Sequence, residues 1–226
     1  MSNRILFSIV LMVSTVLPCL AASSRSDDVA RIRSATDVFR EIMATPDKAI
    51  PRDLLSDARC IAIIPGEKKA AFLVGGKYGK GVVTCRTPHG WSAPAFLAIG
   101  GASYGFQIGG SSTDIVMVFT NIRGLDSLLS DKFKIGANAE AAAGPVGRSA
   151  GASTDIKLRS EILTYSRSRG LFGGVSLDGS VVQPDDSGNE AMYGADARTK
   201  QIVDGHVHVP AAARPLIHDL VRYAGH

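Results

Sequence analysis

"GWSAPAFLAIGGASYGFQIGG", residues 90–110, decides the fold. It combines the apolar and aromatic side chains of a buried core with a glycine every few positions, and contains no Asp, Glu, Lys, Arg, His or Cys. Acids, bases, thiols and metal ligands are therefore missing from it. Apolar runs broken this often by glycine point to strands, because glycine weakens a helix interior yet allows the bulges and close backbone approaches of a bent sheet. The stretch is expected to be scaffold, with function elsewhere.

The same pattern continues on both sides. "CIAIIP", "AAFLVGG", "GVVTCR", "PAFLAIGG", "YGFQIGG" and "DIVMVFT" are short apolar or β-branched runs set off by Gly and Pro, as an antiparallel sheet, sandwich or barrel requires. Several are apolar at nearly every position, which implies cover on both faces. "GGKYGK" at 75–80 and Asp178–Gly179 carry hairpin signals.

Helices bracket the strands. From Asp28 to Ala44, Val29, Ile32, Ala35, Phe39, Ile42 and Met43 recur at helical spacing, with Ser26 or Asp27 as N-cap. Pro51 opens a short second helix that turns Leu54 and Leu55 inward, and a further short helix is expected over Asn121–Leu129. "VPAAARPLIHDLVRYA" closes the chain helically. The expected class is α+β, a mainly antiparallel, barrel-like core with flanking N- and C-terminal helices. Without a fixed-period repeat or a low-complexity linker, residues 23–226 read as a single domain.

At 226 residues, 45% hydrophobic and 20% charged, the chain has enough apolar mass for one sizeable core, which excludes disorder. A formal net charge of +4 suits an anionic surface but is too small to imply nucleic acid. Residues 1–22 have Arg4, an apolar run from Ile5 to Leu17, Pro18, and small residues at Ala21 and Ala22. This is the pattern of a cleaved signal peptide, and the run is short for a membrane span. Pro18 directly before Cys19 fits a lipidation site poorly. The expectation is an exported protein, periplasmic or extracellular and peripherally membrane-associated. Cys60 and Cys85 then remain: an oxidising compartment allows them to pair, while their apolar settings equally suit reduced core cysteines.

Enzyme signatures fail on context. "GASYG" and "GRSAG" match G-x-S-x-G around Ser103 and Ser149, but neither has the strand, sharp turn and helix of a nucleophile elbow. "GGKYGKG" departs from the phosphate-loop pattern and leads into strand. His206 and His208, with Asp204 nearby, lack a clear third metal ligand. No catalytic residue, metal site or cofactor is expected.

Basic residues remain. Around the first helix Arg31, Arg33 and Arg40 flank the apolar face, with Asp37 and Glu41 at the opposite pole. Such an arrangement suits a helix lying at a membrane interface, and equally a helix covering a sheet with arginines edging the buried face. Lys68, Lys69, Lys77 and Lys80 cluster in sequence, followed by Arg86. They form a cationic rim if their turns lie at the same end of the sheet as the first helix, or else solvated strand ends.

The order "CIAIIP", "GGKYGKGVVTCR", "GWSAPAFLAIGGASYGFQIGG", "TDIVMVF", "KIGANAEAAAGPVGR", "TYSRSRGLFGGVSLDGSVV", "NEAMYG" resembles the SYLF-domain lipid-binding family from about Ala30 to Val203. The most specific pieces are Trp91–Pro94, Gly105–Gly110, Ala143–Pro145, Tyr165–Ser166 and Gly170–Val175. The resemblance implies non-catalytic binding of membrane lipid, assisted by an N-terminal amphipathic helix and basic surface. It supplies no headgroup site residue by residue. The residues expected to bind anionic phospholipid are Arg31, Arg33, Arg40, Lys68, Lys69, Lys77 and Lys80 for phosphate, with shallow insertion of Ile32, Phe39 and Met43. The alternative is an envelope structural or protein-interaction module, whose first helix packs internally. The sequence defines no oligomeric state.

Overall fold

A computed structural model describes residues 24–44, 49–72, 74–104, 109–121, 124, 129, 132–138, 140–146, 160–168 and 171–225. Helices α1 (Arg25–Met43) and α2 (Arg52–Ser56) come first. Strands β1 (Cys60–Phe72), β2 (Val74–Thr87), β3 (Gly90–Trp91), β4 (Ala95–Tyr104), β5 (Gly109–Phe119), β6 (Phe133–Lys134), β7 (Ala141–Ala143), β8 (Ile162–Ser168), β9 (Leu171–Gly174) and β10 (Val181–Pro184) follow. Helices α3 (Asp186–Tyr193) and α4 (Thr199–Val203), a 3-10 turn at Ala211–Ala213, and α5 (Arg214–Ala224) close the chain.

The strands make one curled sheet in the order β6-β10-β4-β2-β1-β5-β8-β7, with β3 on β2 and β9 on β8. Only the β7–β8 pair is parallel among the described strands. The fold is therefore α+β with a largely antiparallel, half-barrel sheet and helices from both ends of the chain, as expected. Alternation along the inner strand halves explains the continuous apolar runs. Ile61, Ile63, Val82, Phe96, Val116 and Val118 face one layer with α1, α2 and α5. Cys60, Ala62, Ile64, Val83, Leu97 and Met117 face a second layer with Phe133, Val182 and Ile202. Both sides of the sheet are core.

Three local expectations are corrected. β1 reverses into β2 at the Phe72–Val74 pair, so "GGKYGK" lies inside β2 rather than at a hairpin tip. Gly179 does adopt φ +76° in a turn, but β9 pairs with β8 while β10 pairs with β4 and β6, so no hairpin spans Asp178–Gly179. Ser24, not Ser26 or Asp27, caps α1, accepting the Asp27 N–H at 3.3 Å. The helix thus starts early enough to set Asp27 and Asp28 in its first turn, where the dipole favours carboxylates. The helix expected over Asn121–Leu129 falls largely outside the described residues.

A bulge divides the long strands. The β1 register shifts by one residue between Ile64 and Glu67 against β5, with Gly66 at φ +61°, a left-handed conformation that glycine adopts without strain. Opposite it, a Cβ on Gly81 would stand 2.3 Å from the Ile63 carbonyl oxygen, so only a glycine lets β2 pass there. Just inside this bend Cys60 and Cys85 face each other in register and form a disulfide, settling a question the sequence left open. The bridge, 25 residues apart in sequence, closes a ring around the β1–β2 hairpin.

Candidate docking face on the outer sheet

Helix α1 lies across the strands and separates a covered inner half from an outer half. Near its N-terminus Arg31 bonds Asp185, just after β10, at 2.8 Å and Asp28 at 3.1 Å, with its guanidinium 5.1 Å from the Phe96 ring centre. Near its C-terminus Glu41 pairs with Arg167 of β8, which also holds Asp114 of β5 at 2.7 Å. Lys80 of β2 completes the first cluster, 2.9 Å from Asp185. Burial works against a charge on Asp185, yet hydrogen bonds from Lys80, Ser187 and Arg31 hold its carboxyl below the usual range.

Beyond α1 one cross-strand row spans six strands. Lys134, Val181, Gly100, Tyr78, Lys68 and Ser112 are successive register partners on β6, β10, β4, β2, β1 and β5. Directly paired residues share a sheet face, and the unbroken β2–β4 register puts Tyr78 on the same face as Val82, the α1 side. Lys134 and Lys68 are exposed, and Tyr78, 54% accessible, is the one exposed large hydrophobic side chain among the described residues. The row nearer α1 carries Gln183, Ala98 and Lys80. The next outward carries Ala102, Gly76, Ala70 and Gly110. A Cβ on Gly76 would meet nothing within 4 Å. Tyr78, Gly100, Gln183 and exposed Lys132 line a shallow cavity of about 180 Å³.

The face is floored largely by glycine and alanine and carries ammonium groups around one aromatic ring. Two nearby carboxylates are engaged: Asp185 as above, and Asp114 by Arg167 and the Gly66 N–H.

The residues expected to bind lipid are distributed differently. Ile32 and Phe39 are fully buried and Met43 nearly so, which corrects the idea of shallow insertion: the apolar stripe of α1 is the inner layer of the core. Arg31 and Lys80 belong to the Asp185 cluster. Arg40 lies on the α5 side of the helix, 2.6 Å from Asp219 and half-exposed, and exposed Arg33 sits seven residues before it on the same stripe. Lys68 lies on the docking face. Lys77, half-buried, points to the opposite side of the sheet, and its register partner on β1 is Lys69. Lys68 and Lys80 are thus parted from Lys77 by the sheet itself.

Lys132, Lys134 and Tyr78 were missed. "KFK" at 132–134 has the period-two alternation that marks a strand, with buried Phe133 between two exposed lysines, but a two-residue strand gives too short a pattern to recognise alone. Ser103 lies within β4, paired with Gly75, so no elbow surrounds it. Ser149 lies outside the described residues. His206 and His208 are exposed, and Asp204 accepts a bond from Lys200.

A family model described as Ysc84, Las17-binding protein actin regulator, matches residues 100–223, more than half the chain. The chain belongs to the Ysc84 family of SYLF domains. Protein YSC84 of Saccharomyces cerevisiae is 38% identical over 175 residues, covering 76% of this chain and 37% of that protein. The SH3 domain-containing YSC84-like protein 1 of Homo sapiens is 36% identical over 182 residues, 79% of this chain and 53% of that protein. LAS seventeen-binding protein 3 of Saccharomyces cerevisiae is 36% identical over 174 residues, 75% and 38% respectively. The chain thus spans about half or less of these relatives' lengths. The family description and the name of LAS seventeen-binding protein 3 speak of binding or regulation, in keeping with a SYLF domain that acts by binding.

Proposed function

We propose that this SYLF domain is a non-catalytic module that binds anionic phospholipid at a membrane surface through the open outer face of its sheet. The carrying observation is the row Lys134–Gly100–Tyr78–Lys68 with Lys132 beside it: cations from two separate segments, 68 and 132–134, aligned on one sheet face that no helix covers among the described residues. Ammonium groups sharing one face meet several phosphates at once, each contributing about 1 kcal/mol near an anionic surface, and Tyr78 suits the interface, where one end of its ring is apolar and the other wet. Export remains part of this proposal, and the Cys60–Cys85 disulfide supports it, since such bonds persist in oxidising compartments.

Co-sedimentation with phosphatidylglycerol vesicles tests the reading. Binding should fall steeply between low and physiological salt, and Lys68→Gln/Lys132→Gln/Lys134→Gln should lose most of it. Equal pelleting with neutral and anionic vesicles, insensitive to salt, would sink the proposal. The second reading is an envelope protein-interaction module. It is favoured by the complete burial of Ile32 and Phe39, which gives α1 a packing role, and by the family description and the name of LAS seventeen-binding protein 3, which speak of a protein partner. Vesicle binding lost in no variant, with a protein retained on the same face, would favour it.

A further inference from the structure

A second cationic surface lies on the helix layer, on the other side of α1, and it is built from arginine. Tyr223 of α5 is half-buried and meets Phe39 edge-on, ring centres 6.0 Å apart. The guanidinium carbons of Arg52 at the start of α2 and of Arg222 each lie 5.4 Å from the centre of the Tyr223 ring. Both arginines are exposed, and among the described residues neither has a carboxylate within ion-pair distance. A guanidinium stacked on an aromatic ring keeps its N–H edge free for in-plane bonds, the geometry that grips a carboxylate with two parallel hydrogen bonds. Arg40, held by Asp219 yet half-exposed, and Arg33 about 10 Å further along α1 continue the stripe.

The pair is held in place by one half-buried side chain. Arg86 of β2 donates to the carbonyls of Leu55, Ser56 and Ala58 at the end of α2, and to those of Ala224 and Gly225 at the end of α5. Its guanidinium also lies 4.6 Å from the ring centre of Trp91, whose indole N–H bonds the Gly225 carbonyl at 2.9 Å. One side chain thus ties the ends of the two helices that present Arg52 and Arg222, which fixes their spacing before any partner arrives.

We propose that this junction of α1, α2 and α5 is a docking site for a carboxylate-rich protein segment, separate from the lysine face. Exposed Asp37 and Asp53 stand among the arginines. These acids would repel a continuous anionic plane such as a bilayer, but they leave room for a discrete acidic segment threaded along the arginines. The inference is independent of the lipid reading.

The test is a titration of the isotope-labelled full chain with a synthetic deca-glutamate peptide at physiological salt, followed by amide chemical shifts. Shifts should concentrate at residues 52–56 and 219–225. Arg52→Ala/Arg222→Ala should weaken affinity about tenfold or more, and Arg52→Lys/Arg222→Lys, which keeps the charge, should still weaken it several-fold because the planar fork is lost. Shifts centred on residues 68, 78 and 132–134, an affinity unchanged in the alanine variant, or lysine variants that bind as well as the parent would each overturn the site.

Discussion

Strands β1, β2, β4 and β5 live two lives along their length. Inside the Gly66 bend every side chain is sandwiched, Ile61 and Ile63 against helices and Ala62 and Ile64 against the second layer. Beyond it, the α1-side face carries Gly100, Gly76, Ala102, Tyr78 and Lys68 and has no helix over it among the described residues. Backbone pairing is continuous across the bend, so the difference is made by side chains and by where α1 lies. One sheet can thus be core at one end and platform at the other, because hydrogen bonds hold its geometry regardless of what covers it.

The widest contrast is in stability. Phe39→Ala should cost about 3–5 kcal/mol, by removing a fully buried ring from the inner layer. Tyr78→Ala should stay within about 0.5 kcal/mol, as surface changes do. Denaturant midpoints measure both, and a large loss at Tyr78 would mean that the outer face is packed. Glycines sharpen the same division. Gly81→Ala drives a methyl into the Ile63 carbonyl and should destabilise by about 1–3 kcal/mol, whereas Gly76→Ala enters open space and should be neutral or slightly stabilising.

The border between the halves should respond to acid. Asp185 has its carboxyl held below the ordinary range by Lys80, Ser187 and Arg31 despite burial. Its stabilising contribution is therefore present above the unfolded carboxylate value of about 4 and disappears as pH falls through its lower folded value. Asp185→Asn should lower stability at neutral pH by on the order of 1–2 kcal/mol and flatten the acid limb of the stability curve. An unchanged acid limb in thermal unfolding from pH 7 to 2 would show that the cluster does not hold the border.

Much of the inner half was legible in the sequence. Helical spacing picked out the buried stripe of α1, and unbroken apolar runs announced strands covered twice. What misled was the chemistry of the stripe's edges, since arginines beside an apolar face look alike whether the face meets lipid or sheet, and only Asp185 and Asp219, more than 150 residues away, distinguish the two. The outer face was harder still. Its cations come from positions 68, 132 and 134, brought together by register, and register depends on a one-residue bulge that no local pattern marks. The Arg52–Tyr223–Arg222 group likewise joins both ends of the chain.

The central claim is that the open sheet face, and not the apolar stripe of α1, meets the membrane. Tyr78→Trp and Arg33→Trp place an indole on each side of α1, and vesicles of anionic lipid with brominated acyl chains quench only indoles near the bilayer. The account predicts quenching for Tyr78→Trp and little for Arg33→Trp, with native Trp91, 5% accessible, unaffected in both. Quenching of Arg33→Trp with Tyr78→Trp left bright would contradict it.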